Sequence, residues 1–167
     1  MSFDTYMKIS SPDVEGESMA KDMDKYIEIY SFSWGASNPT TVGPGSAGLA
    51  AGRASVSSFN VMKKTEKSSP SLFAACCAGQ HYKKAEVVLR KATGTDGGQK
   101  PFLKYTFEDV MVESIQWSGS SGGDDTPTES VSFAFAKVKI DYYKQDEGTG
   151  SMSSAGNASW DLTKVSK

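Results

Sequence analysis

The sequence predicts a mainly β protein, an antiparallel β-barrel of two packed sheets flanked by one short α-helix at about 70–78. Three observations predict it. β-Branched and aromatic residues recur with period two in segments bounded by Gly, Ser, Pro and Asp clusters. Two of these segments are long and change apolar phase midway, as strands do when they bend around a curved sheet. A third signal, the paired start and stop marks of a helix, stands out at one place.

Strands are expected near 3–9, 26–35, 53–64, 82–92, 101–117, 128–143 and 158–165. In Ala85-Glu86-Val87-Val88-Leu89-Arg90, residues 85, 87 and 89 point to a core while Glu86 and Arg90 face water. From Thr128 onward Val131, Phe133 and Phe135 share one parity and Val138, Ile140 and Tyr142 the other, so the phase slips near Ala136-Lys137. The same slip separates Leu103-Tyr105-Phe107 from Val110-Val112 across Glu108-Asp109. Such slips mark β-bulges, and two long bent strands favour a barrel over a flat sheet. The helix is expected to take Ser69 as N-cap, Pro70 at its first position and Gly79 just past its end. Leu72 with Cys76, and Phe73 with Cys77, form an i, i+4 apolar stripe that should lie on the barrel wall, making the thiols packing groups. Three stretches lack regular patterns: an extended loop at 38–52, a loop at 118–126, and a flexible loop at 145–157 before the last strand.

A chain of 167 residues has the size of one domain, 1–167, with one core. Its 18 lysines and arginines against 20 aspartates and glutamates give no electrostatic reason to expect nucleic acid. The N-terminus lacks a basic stretch followed by an apolar run, and no apolar window is long enough to span a membrane. Synthesis as a soluble cytoplasmic chain without membrane insertion is expected. Cys76 and Cys77 are adjacent, and a bridge between neighbours would be strained, so both are expected to be free thiols.

No catalytic, cofactor-binding or metal site is expected. Gly43-Pro44-Gly45-Ser46-Ala47-Gly48 matches the G-x-G-x-x-G pattern, but no helix follows it to hold a phosphate. His81 is the single histidine, so a metal site would need carboxylates to complete it. The acidic run Asp124, Asp125 and Glu129 lacks the ligand spacing of a calcium loop and reads as a solvated turn. Lys63, Lys64 and Lys67 with Glu66 interleaved, and Lys83-Lys84, read as solvated faces that could pair with acidic groups of another copy. Two alternatives remain open: a monomeric β-barrel binding glycans or another ligand around Trp117, and a small thiol enzyme built on Cys77 and His81.

An ordered set of phrases narrows this description. It comprises Tyr6-Met7-Lys8-Ile9 with Val14-Glu15-Gly16-Glu17-Ser18, then Ser31-Phe32-Ser33-Trp34-Gly35, then Lys67-Ser68-Ser69-Pro70-Ser71-Leu72 leading to Ala78-Gly79-Gln80-His81. It continues with Ala85-Glu86-Val87-Val88-Leu89-Arg90-Lys91-Ala92, Phe107-Glu108-Asp109-Val110-Met111-Val112 and Thr128-Glu129-Ser130-Val131-Ser132-Phe133-Ala134-Phe135. Over about 6–140 the chain resembles the haemolysin-coregulated protein (Hcp) family, the tube proteins of type VI secretion. The resemblance implies a structural protein and not an enzyme: a homohexameric ring, rings stacked into a tube, a contractile sheath and a spike protein as partners, and small effectors in the lumen. It also implies export through the machinery without a signal peptide. Ring closure and stacking each require two complementary patches per protomer. Stacking is assigned to the 38–52 loop with Thr40, Val42, Pro44 and Leu49, and the luminal surface to Ser31 and Ser33, which alternate with Phe32 and Trp34.

Overall fold

Alternating burial along strands such as β8 and β11 builds a curled antiparallel main sheet with a helix against it. The computed structural model describes residues 2–43, 48–92, 98–123, 125–145 and 152–167. Strand β1 (Asp4–Ser10) pairs with β2 (Ile27–Ile29), which is followed by β3 (Ser31–Ser33), β4 (Ala36–Ser37), β5 (Thr40–Val42), β6 (Leu49–Ala51), β7 (Ser55–Val56) and β8 (Phe59–Lys64). Helix α1 (Ser69–Ala78) precedes the long strands β9 (His81–Ala92), β10 (Gln99–Ser118), β11 (Thr128–Ala134), β12 (Lys137–Gln145) and β13 (Met152–Asp161).

Hydrogen-bonded neighbours run β2-β1-β9-β10-β11-β8-β3, with β12 on β10 and β13 on β12. The two ends of this path, β2 and β3, are separated by Tyr30 alone, whose N–H donates to Met62 O at 2.9 Å. One bent segment thus borders both edges, and the sheet curls round a core of Met7, Ile9, Leu72, Val87, Val110, Val131 and an aromatic cluster. Within that cluster Trp34 meets Tyr105 at 5.1 Å and Phe107 at 5.5 Å, and Phe59 meets Phe107 at 4.8 Å, edge-on or tilted as ring quadrupoles favour.

Both expected phase slips are present, and they face each other. Asp109 takes φ 54°, and β11 stops at Ala134 before β12 starts at Lys137. Glu108 pairs Lys137 and Met111 pairs Ala134, so the register is equal on both sides of the break. Paired strands that switch phase together keep their ladder and bend as a unit.

The helix starts one residue earlier than expected, with Ser68 as N-cap and no side-chain cap bond, because the Ser68 hydroxyl donates to the Glu66 carboxylate. Gly79 closes it in the left-handed conformation, φ 68° and ψ 36°, which glycine adopts without a Cβ penalty. The buried stripe is Ser69, Leu72 and Ala75, with Cys76 packed at its margin. Phe73 and Cys77 lie off that stripe and are exposed, which corrects the expectation that both thiols pack in the wall.

Two loop expectations are also corrected. Residues 40–42 and 49–51 of the 38–52 segment pair as an antiparallel ladder, the β-branched Thr40, Thr41 and Val42 suiting one arm. The last strand begins at Met152 and not near 158: β12 offers its free edge, and the small residues Ser153 to Ser159 pair along it despite their low strand preference. The expected flexible loop therefore contracts; its residues 146–151, like Pro44, Gly45, Ser46, Ala47 and Asp124, lie outside the described residues.

Candidate functional site

The feature that stands out from the curled sheet is the ribbon at 36–56. At its root Ala36 pairs Val56 and Ser37 pairs Ser55, while Gly35 and Ser57 exchange bonds of 2.8 and 2.9 Å. Gly52 N–H donates to Pro39 O at 2.7 Å and to Asn38 Oδ1 at 2.8 Å. Beyond this latch β5 and β6 pair Thr40 with Ala51 and Val42 with Leu49. Val42 is 76% exposed and Leu49 75%, so a cross-strand apolar pair stands bare in solvent. A lone two-stranded hairpin is marginal in water, and such a pair gains stability when another surface covers it.

A second surface is small and polar. On β3, Phe32 packs inward at 5.7 Å from Phe59, and Ser31 and Ser33 face outward and are exposed. Ser31 pairs Met62 and Ser33 pairs Asn60 on β8, and these pair Ser130 and Ser132 on β11. The rows Ser31-Met62-Ser130 and Ser33-Asn60-Ser132 share one face, tied by Ser132 Oγ and Asn60 Oδ1 at 2.5 Å. These two rows carry hydroxyls, the Asn60 amide and the Met62 thioether, and no charge.

A buried ion pair lies beneath, on the opposite parity of the same strands. Lys63 and Glu129 are cross-strand partners on β8 and β11, 1% and 0% exposed, with Lys63 Nζ in direct contact with Glu129 Oε1. Ser69 Oγ donates to Glu129 Oε1 at 2.9 Å and accepts from Lys63 Nζ at 3.1 Å and from Glu66 N–H at 3.0 Å. Thr65 Oγ1 donates to Glu129 Oε2 at 3.3 Å. Glu66 in turn accepts from Glu17 N–H at 2.9 Å. The network fixes the turn from β8 into α1 and anchors it to the β1–β2 segment. Reading Lys63 and Glu129 as solvated is thus overturned. The missed signal was parity: Lys63 is in phase with Phe59 and Val61, and Glu129 with Val131 and Phe133.

Comparison with known proteins agrees with this geometry. The family described as "Type VI secretion system effector, Hcp" matches residues 6–142. Protein hcp1 of Pseudomonas aeruginosa is 38% identical over 145 residues, covering 87% of this chain and 86% of that one. The chain belongs to the Hcp family. Among solved structures, a type six secretion system protein superposes with a TM-score of 0.89 at 34% identity over 98% of both chains. Hcp1 from Salmonella typhimurium superposes with a TM-score of 0.79 at 30% identity over 99% of both.

Hcp membership makes this a structural protein of type VI secretion and not an enzyme. Cys77 and His81 are both exposed, Cys77 on α1 and His81 opening β9, and no described His, Cys, Asp and Glu gather into a metal-sized group. The residues after Gly48 form β6, so the glycine-rich run is not followed by a helix. Trp117, 42% exposed, tilts against Phe73 with centroids 5.7 Å apart, which leaves it partly covered. Among the described residues no helix is long and apolar enough to cross a membrane.

Proposed function

We propose that this Hcp chain is the subunit of the type VI inner tube, six copies forming a ring and rings stacking into a tube that carries small effectors. The observation that carries this reading is the bare Val42–Leu49 pair on a latched ribbon, an apolar surface that a neighbouring copy would cover. The ribbon bridges rings through Thr40, Val42, Pro44 and Leu49, with Pro44 outside the described residues. The uncharged serine face with Ser31 and Ser33 lines the channel, where hydroxyls hold cargo through hydrogen bonds that are readily exchanged with water. The whole of 1–167 acts as one domain, the sheath encloses the tube, and the spike protein caps it. The chain is made in the cytoplasm and leaves the cell through the machinery.

Negative-stain electron microscopy with light scattering tests the assembly. Six-fold rings with an open centre and six-subunit mass are the expected result, and a monomer at high concentration refutes it. Ser33→Arg is expected to keep ring size and lower cargo retention; unchanged retention assigns the channel to another face.

A further inference from the structure

The 11–26 segment between β1 and β2 is an acidic lobe with an apolar tip. It carries Asp13, Glu15, Glu17, Asp22 and Asp24 against Lys21 and Lys25, all exposed, and Met19 at its crest is 91% exposed. The lobe is held in shape. Gly16 N–H donates to Lys25 O at 2.8 Å, Lys25 N–H to Ser18 O at 2.8 Å, and Ser18 N–H to Tyr26 O at 3.0 Å. A Cβ at Gly16 would lie 2.4 Å from Tyr26 O, so only glycine fits there. Met23 anchors the lobe against Tyr6 and Val88, and Arg90 Nη1 donates to Lys21 O at 2.8 Å. Glu15 is paired with Lys67 at 3.0 Å, whereas Glu17, Asp22 and Asp24 have no ion-pair partner among the described residues.

Elsewhere, β10, β12, β13 and the residues after β13 enclose a cleft of 310 Å³ with the opposite character. Lys137, Lys139, Lys164 and Lys167 line it against the two carboxylates Glu108 and Asp161, with the half-buried Trp160 and the buried Val138 also in its wall. The carboxylates are engaged within the chain. Asp161 Oδ1 accepts from Thr163 Oγ1 at 2.6 Å, Thr163 N–H at 2.9 Å and Lys164 N–H at 3.2 Å, and Lys137 stands between Glu108 and Asp161 at 3.8 and 3.7 Å. Lys164 and Lys167 have no ion-pair partner among the described residues.

We propose that the acidic lobe of one copy docks into the lysine-rimmed cleft of the next, Met19 against Trp160 and Glu17 and Asp24 facing Lys164 and Lys167. The two surfaces differ, so the contact is heterologous, the kind that propagates around a ring or along a stack. The apolar tip supplies burial at the centre and the charges supply orientation at the rim. Because backbone bonds preorder the lobe, little entropy is lost on docking. This contact rests on the self-assembly reading and names the surfaces that carry it.

The test uses the full chain. A mixture of isotopically light and heavy protein is treated with a zero-length carbodiimide, and mixed-label cross-links are identified by mass spectrometry. Links from Lys164 or Lys167 to Glu17, Asp22 or Asp24 of another copy are expected. Lys164→Glu/Lys167→Glu and Glu17→Lys/Asp24→Lys should each raise the concentration needed for assembly by about tenfold or more, with the four-fold reversal restoring it. Unaltered melting by circular dichroism separates lost docking from lost folding. Assembly of Lys164→Glu/Lys167→Glu at the wild-type concentration, or mixed-label links confined to other surfaces, overturns this contact while leaving the ring reading intact. A wild-type chain that stays monomeric overturns both.

Discussion

Lys63 and Glu129 illustrate how much a single residue's environment decides. Two opposite charges removed from water stabilise the fold little in sum, but either one left alone in the interior is expensive. Lys63→Met is therefore expected to lower unfolding free energy in urea by ~3–5 kcal/mol, and Lys63→Met with Glu129→Leu to recover much of that loss. A double variant as unstable as the single one would mean that Ser69 and Thr65 dominate the network. Glu86 makes a complementary case at the surface of β9. Burial pushes its carboxyl up, but the Lys84 ammonium at 2.5 Å and Lys104 at 3.4 Å outweigh burial and hold it below the ordinary glutamate range. A carboxyl lowered on folding contributes stability that is present above its unfolded pKa and lost as pH falls through its folded pKa. Glu86→Gln should thus melt lower than the natural chain near neutral pH, with the gap closing as the solution is acidified below about 4. A gap that persists in acid would assign the effect to packing.

At the scale of elements, the ribbon at 36–56 and the bent pair β10 with β11–β12 behave differently. The bent pair is bordered by β9, β8 and β13, so its hydrogen bonds are shielded and its position is set by the sheet. The ribbon is joined at its root and otherwise exposed, so its contribution to the stability of a single copy is small. Deleting Pro44 to Ala50 is expected to leave the urea midpoint and ring formation nearly unchanged and to weaken ring-on-ring assembly; sedimentation showing tubes at wild-type concentration would contradict that role. Legibility followed the same division. Helix α1, its Pro70 start and its Gly79 stop could be read from adjacent residues. The β5–β6 ladder and the early start of β13 could not, because Ser153-Ser154-Ala155-Gly156 has no strand preference of its own and pairs because β12 presents an edge.

For the molecule as a whole, every inner strand of the main path is bonded to two neighbours, and its end strands β2 and β3 are joined in the chain through Tyr30. Circular dichroism and tryptophan fluorescence should therefore report one coincident unfolding transition in a non-assembled variant, as expected for one domain. Two separated transitions would divide 1–167 into independent units. Trp34, packed among Tyr105, Phe107 and Phe135, is the natural reporter of the core, and Trp160, lining the lysine-rimmed cleft, the reporter of assembly.

Local order along the chain by itself determined the β class, the positions of the long strands, the paired phase slips, the single helix with its Gly79 stop, and the family. Each depends on spacing within a few residues or on phrases in linear sequence. The tertiary structure alone decided which polar groups leave water. It buried Lys63 and Glu129, exposed Cys77 and Phe73, brought β2 round to β3, and gathered the lysine-rimmed cleft from β10, β12, β13 and the residues after them. Those outcomes depend on partners distant in sequence, whose Coulombic and packing energies exist after the sheet has curled.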